Sequence, residues 1–295
     1  MSESLTVMTR AALSQARAHQ AAAHAAVAAL VKRDGKIRPD LLDQHQLAAH
    51  GLAWCATYVR ALEQLQAWAT RLEAAGGFGP MESAILEVGF GEYLAQLDGG
   101  IGLSPGEIVR PTDLGLSGLG AGELRSGAAA ELIASGRRAA LRGEIATMAA
   151  DGLESGAFGR NGLDDDTVDM LRNEIRRFVD KAVAPAAHGW HRADALIPSA
   201  IIDQLADLGV FGITIAEEHG GLGLGKLAMC VVTEELSRGY LGVGSLGTRA
   251  EIAGEMIASV GAPGQRARWL RAIASGKTLA TAVFTEPDVG SDLGS

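Results

Sequence analysis

Apolar residues recur at helical spacing through most of the chain. After Pro39, which suits the first turn of a helix, Leu47, Trp54, Tyr58, Leu62, Leu65, Trp68 and Leu72 follow at steps of three, four or seven. That pattern puts them on one side of a 3.6-period helix that stops at Gly76-Gly77, and makes the aromatic stripe core rather than a substrate box. A second helix is predicted from about Pro80 to Leu97, with Met81, Ile85, Val88, Tyr93 and Leu97 on one face and Gly99-Gly100 as its stop. Between Leu103 and Leu119, Pro105, Pro111 and several glycines predict an irregular connector, and another helix is expected over about Gly122 to Ala150. Residues 152–163 hold spaced glycines without periodicity, which places a domain boundary there.

The second half begins with Asp164, Asp165 and Asp166, an N-cap and first-turn charges for a helix through Val168, Leu171, Ile175, Phe178 and Val179 to about Ala184. A short helix follows over Pro198 to Leu208, ended by Gly209. A turn-rich stretch, Gly212 to Gly225, leads to helices at about Lys226 to Arg238, Thr248 to Val260 and Gly264 to Ala274. Thr278 to Phe284 alternates enough to predict a strand, which runs into the polar segment Thr285 to Asp292. The expected architecture is mainly α: a helical extension over 1–155, a helical domain over 164–276, and the start of a β-domain over 277–295.

Composition narrows the function. Aromatics are 4% of the 295 residues while glycine alone contributes 39, so close-packed small-residue helices are favoured over an aromatic-cored sandwich. A net charge of −9 gives no attraction for a phosphate polyanion, which argues against nucleic acid as a partner. Cys55 and Cys230 match no C-x-x-C spacing, and no run of eighteen apolar residues is present to span a bilayer. The Ala-rich first thirty residues, with Arg10 and Arg17, faintly imitate a transit peptide, but their polar run Gln15 to His24 suits a surface helix. A reduced, cytoplasmic setting is therefore expected.

Two nucleotide-binding spellings fail on context. Gly220, Gly225 and Lys226 fit G-x-x-x-x-G-K, but Leu227 stands where a hydroxyl would ligate magnesium. Gly242, Gly244 and Gly247 fit G-x-G-x-x-G, but they follow a predicted helix instead of a strand and read as helix-joining glycines. Glu217-Glu218 and Glu234-Glu235 are sequence neighbours, which do not face one another on a helix, so neither is an acid/base couple. His219 reads as an exposed loop histidine.

Thr285 to Asp292 has the composition of a loop that approaches a ligand. Thr285 and Ser291 offer hydroxyls, Pro287 stiffens the turn, and Gly290 brings no Cβ. Taken alone, this is also an ordinary β-turn. The order of blocks extends the reading: 205–213 (LADLGVFGI), 217–224 (EEHGGLGL), 232–238 (VTEELSR), Gln265 with Trp269-Leu270 and Ser275-Gly276, and 284–292 (FTEPDVGSD). In this order they resemble the N-terminal helical domain and first strand of the acyl-CoA dehydrogenases.

The resemblance implies an FAD enzyme that oxidises the α,β bond of an acyl-CoA thioester, with a glutamate as base, hydride transfer to the flavin, and electron-transfer flavoprotein as acceptor. Hydrogen bonds to the thioester carbonyl would acidify the α-carbon in such an enzyme. By the same resemblance Phe284 and Thr285 contact the isoalloxazine, Gly290 and Ser291 lie along the flavin, and Ser291 also reaches the pantetheine of CoA. Val289 is larger than the family's usual residue before the glycine. The first 150 residues, with 51–54 (GLAW), Tyr58, 89–96 (GFGEYLAQ) and 104–111 (SPGEIVRP), resemble the N-terminal extension of one branch, the methylsuccinyl-CoA dehydrogenases. That branch converts methylsuccinyl-CoA to mesaconyl-CoA in the ethylmalonyl-CoA pathway. A short- or branched-chain acyl-CoA dehydrogenase of the isobutyryl- or butyryl-CoA type is the alternative, and a helical interaction module without flavin chemistry is another. Family members continue into a β-domain and a helical bundle that form the homo-oligomer and carry the catalytic glutamate. The 295-residue chain is accordingly expected to lack the catalytic base, to be inactive alone, and to expose apolar faces and an unpaired strand near Val283.

Overall fold

The computed structural model describes residues 4–116, 123–153, 158–163, 165–281, 283–288 and 290. The chain forms two compact units, Met1–Leu163 and Asp164–Ser295.

Unit 1 is built from α1 (Leu5–Val31), α2 (Pro39–Gln44), α3 (Gln46–Ala74), α4 (Pro80–Gly99), α5 (Gly127–Gly136) and α6 (Ala139–Asp151). α1 packs on α3 and α5, while α4 is flanked by α1, α3, α5 and α6. The core gathers Leu13, Val59, Leu62, Leu86, Phe90, Leu94 and Leu132. Cys55 is also inside, and burial pushes its thiol up to about 11, so it is an unreactive packing residue.

The long helices appear where periodicity places them, but their buried faces differ from the expected ones. α3 buries Ala48, Gly51, Cys55, Val59, Leu62, Gln66, Ala69 and Leu72, whereas Leu47 is exposed and Trp54 is 36% exposed. Small side chains let neighbouring backbones approach, and this close packing outcompetes the larger rings. The rings form a chain at the rim of the core, His50 to Trp54 to Tyr58 to Tyr93, with edge-to-face centroid distances of 6.4, 6.0 and 4.7 Å. On α4 the buried set is Glu82, Ala84, Leu86, Phe90, Gly91, Leu94 and Leu97, and of the expected face only Leu97 is fully buried. A helix enclosed by several others has no single apolar stripe to reveal it. At Gly91 and Gly136 the backbones of α4 and α5 touch: a Cβ on Gly91 would lie 2.7 Å from the Leu132 carbonyl oxygen and 2.8 Å from the Gly136 Cα.

Two antiparallel hairpins, each short, interrupt the helices. β1 (Lys32–Arg33) pairs with β2 (Lys36–Ile37) across Asp34 and Gly35, both at positive φ (52° and 76°), which is the two-residue turn that Asp-Gly favours. β3 (Ile101–Ser104) and β4 (Glu107–Val109) pair across Pro105-Gly106, inside the stretch expected to be irregular. The expected helix over Gly122 to Ala150 is a 3₁₀ turn (Glu123–Arg125) followed by α5 and α6. Around that break Arg138 pairs with Glu87 at 3.6 Å and Arg142 pairs with Glu92, both carboxylates being on α4.

Unit 2 opens with α7 (Asp166–Phe178), whose N-cap Asp165 accepts hydrogen bonds from the Thr167 and Val168 amides at 2.9 and 3.1 Å. The helix continues past the expected end, through a wider π turn (Val179–Val183), into α8 (Ala184–Arg192). In that turn the Ala184 amide bonds the Val179 carbonyl, a one-residue slip next to Pro185, which cannot continue an ordinary helical ladder. Then follow α9 (Ser199–Asp207), α10 (Lys226–Gly239), α11 (Leu241–Val260) and α12 (Pro263–Ala274) around Leu205, Phe211, Ile213, Val232, Leu236, Val243 and Leu270. Gly242, Gly244 and Gly247 lie within α11 and do not join helices; Tyr240 alone separates α10 from α11.

The strand expected over Thr278 to Phe284 does not form among the described residues. A strand's backbone groups are satisfied by a neighbouring strand, and the described part of unit 2 offers none. Val283 is nonetheless 81% exposed, as expected for that position.

Candidate functional site

The segment that carries the candidate residues is launched from the end of α12. The Gly276 amide donates to the Ile273 carbonyl at 2.9 Å and the Thr278 amide to the Ala272 carbonyl at 3.1 Å, which folds the chain back on the helix. Leu279, Val283 and Phe284 then emerge into solvent, Phe284 at 55% exposure, and a turn follows at Pro287-Asp288. Thr285 and Gly290 are exposed, and a Cβ on Gly290 would meet nothing within 4 Å. Phe284, Thr285 and Gly290 thus share one accessible stretch, with no ring or hydroxyl committed to the core. Ser291 and Val289 lie outside the described residues.

The exposed ring, the exposed threonine and a glycine with open space around it leave this stretch accessible to a ligand such as a flavin. It does not by itself enclose a cofactor. A cleft of about 330 Å³ elsewhere on unit 2 is lined by residues including Thr214, Glu218, His219, Glu255 and Arg266, and includes none of the candidate residues. His219 is one-quarter exposed there, with Nε2 3.4 Å from Glu218 Oε1.

The block 232–238 has a structural role that its spelling does not show. Glu235 is 3% exposed and accepts from Arg176 twice, at 2.6 and 3.1 Å, and from Arg238 at 3.0 Å. Arg238 also donates to Asp180 at 2.6 Å, so α7, the π turn and α10 are tied together. Burial pushes the Glu235 carboxyl up, but the hydrogen bonds and charges of the two arginines outweigh it and hold the group below the usual carboxylate range. Both carboxylate oxygens are engaged by arginine donors, so Glu235 is placed as a structural anchor. The i, i+3 pair Glu235–Arg238 is visible in sequence; Arg176 joins it across 59 positions, which no local pattern signals.

Lys226, the lysine of the phosphate-loop spelling, is engaged with Glu255 at 2.7 Å and Glu251 at 3.7 Å, and its hydrogen bond to Glu255 raises its pKa. Among the described residues no group of three or more His, Cys, Asp or Glu is placed to hold a metal, and no helix is long and apolar enough to cross a membrane.

Residues 165–277 match the family model "Acyl-CoA dehydrogenase, N-terminal domain". This stretch is similar to that domain. The chain is similar along 99% of its length, at 50% identity over 291 residues, to the (2S)-methylsuccinyl-CoA dehydrogenase of Cereibacter sphaeroides, of which it covers 52%. It is also 31% identical over 142 residues to the mitochondrial 2-methylacyl-CoA dehydrogenase of Solanum tuberosum and 33% identical over 132 residues to the glutaryl-CoA dehydrogenase of Desulfococcus multivorans. Those two similarities cover 48% and 42% of this chain, and 34% and 33% of the relatives. The chain therefore spans about half the length of the first relative and about a third of the others.

Proposed function

We propose that the protein serves FAD-dependent α,β-dehydrogenation of an acyl-CoA thioester, with methylsuccinyl-CoA oxidised to mesaconyl-CoA. The observation that carries this reading is the reach of the similarity. The 50% identity runs through nearly the whole chain, hence through unit 1 as well as the dehydrogenase domain, whereas the other two relatives match less than half of it. The match through unit 1 is what favours the methylsuccinyl-CoA branch over the isobutyryl- and butyryl-CoA alternatives.

Within this reading Phe284, Thr285, Gly290 and Ser291 are the residues that would hold the flavin, and Ser291 would also contact the pantetheine of the substrate. Bound FAD supplies the two-electron acceptor. Electron-transfer flavoprotein as oxidant of the flavin, a homo-oligomeric assembly and a cytoplasmic location complete the proposal. The test is purification of the full-length protein, its visible flavin absorbance, and its turnover of methylsuccinyl-CoA against butyryl-CoA. A yellow protein with a strong methylsuccinyl-CoA preference is expected. A butyryl-CoA preference overturns the substrate, and a colourless protein without turnover overturns the chemistry.

A further inference from the structure

We propose that residues 158–162 are a docked strap: a segment of the connector that seats on a preformed site at the ends of α3 and α4 and shields its own peptide bonds. Both backbone groups of Arg160 are held. Its amide donates to Glu82 Oε1 at 2.7 Å, and its carbonyl accepts from Trp68 Nε1 at 3.0 Å. The other Glu82 oxygen accepts the Gly79 amide at 3.0 Å, so a single carboxylate, 5% exposed, caps α4 and clasps the strap.

The path of the strap depends on two glycines at positive φ, Gly159 at 97° and Gly162 at 67°. They lie against the site closely enough that a Cβ on Gly159 would be 3.2 Å from Glu82 Oε1, and one on Gly162 would be 3.3 Å from Leu72 and 3.5 Å from Trp68. Leu163 then donates its amide to the Asn161 side chain at 2.9 Å, a local turn that closes the segment. An unstructured linker would leave these groups to water. Here a buried acceptor, an indole donor and a fitted backbone meet at one residue, and the chain leaves unit 1 at Leu163.

Arg160 is itself a trypsin site, which makes the proposal measurable, because a protease needs an extended backbone with its amide and carbonyl groups free. In the 295-residue chain, cleavage after Arg160 should be slow compared with a free peptide of the same local sequence. Trp68→Phe keeps the packed ring but loses one hydrogen bond and should speed that cleavage roughly fivefold. Gly162→Ala changes no residue of α3 or α4 but strains the strap at its positive φ, and should speed it roughly tenfold. Cleavage after Arg60, in the middle of α3, serves as the control and should not change. Wild-type cleavage after Arg160 at the rate of the free peptide overturns the proposal, as does an unchanged rate in Gly162→Ala. Should Trp68→Phe also accelerate cleavage after Arg60, unit 1 itself has loosened, and the Gly162→Ala rate decides.

Discussion

In unit 1 the most enclosed helix, α4, meets its neighbour α5 backbone to backbone at Gly91 and Gly136, around the fully buried ring of Phe90. In unit 2 the comparable inner helix, α10, carries an ionised carboxylate to the same depth and surrounds it with Arg176 and Arg238. The first arrangement depends on shape, and the second on charge. Unit 1 has ion pairs too, such as Arg125–Asp98 at 2.7 Å, but the arginine there is 63% exposed, and such pairs contribute little. The Glu235 cluster should therefore respond to acid and to loss of one charged partner, while the contact of α4 with α5 should respond to a change of volume.

The largest expected effect is on the shape-held unit. Phe90→Ala removes a fully buried ring from the centre of the core and should cost about 4 kcal/mol, read as a shift of the denaturant midpoint and lost amide protection in α4. An effect below about 1 kcal/mol would mean that the core is loosely packed. Glu235→Ala should cost about 3 kcal/mol, at the lower end for breaking a buried ion pair because both arginines retain access to water.

The same carboxylate gives unit 2 a pH dependence of known sign. Its folded pKa lies below its unfolded one, so its contribution is fully present above about pH 4.3 and is lost as pH falls through the folded value. Thermal unfolding of the wild type below about pH 4 should steepen relative to Glu235→Gln. A parallel pair of curves would break the contrast between the units.

A smaller pair of effects, opposite in sign, sharpens the account of unit 1. Gly136→Ala should destabilise by about 2 kcal/mol, because its new Cβ collides with the Glu87 carbonyl oxygen. Gly143→Ala, exposed on α6 with nothing within 4 Å, should stabilise by about 0.5 kcal/mol through helix propensity. The smallest effect is Arg125→Ala, expected to change stability by less than about 0.5 kcal/mol because the pair is exposed.

Which features were readable in sequence follows from their range. A cap within Asp164 to Asp166, Gly209 as a stop and the helix starting at Lys226 are set within a few residues, and the structure places the cap at Asp165 and the other two as expected. The Asp34-Gly35 turn is equally local, but its two-residue strands carry no alternation, so only the Asp-Gly pair could have signalled it. The candidate site was legible as a block of residues and not as a geometry. Phe284, Thr285 and Gly290 stand on one accessible stretch, while the strand expected before them is absent among the described residues because strand pairing requires a second chain segment.

What the amino-acid order determined by itself was the long helices with their stops, and the similarity of residues 165–277 to the acyl-CoA dehydrogenase N-terminal domain, because capping, periodicity and motif order are carried by neighbours along the chain. Tertiary structure alone decided that alanine, glycine and cysteine rather than tryptophan face the core on α3, that Arg176 reaches Glu235, and that Trp68 and Glu82 hold Arg160. Each of these is a choice between competing partners, and it is settled by which backbones can approach and which polar groups would otherwise be buried unpaired.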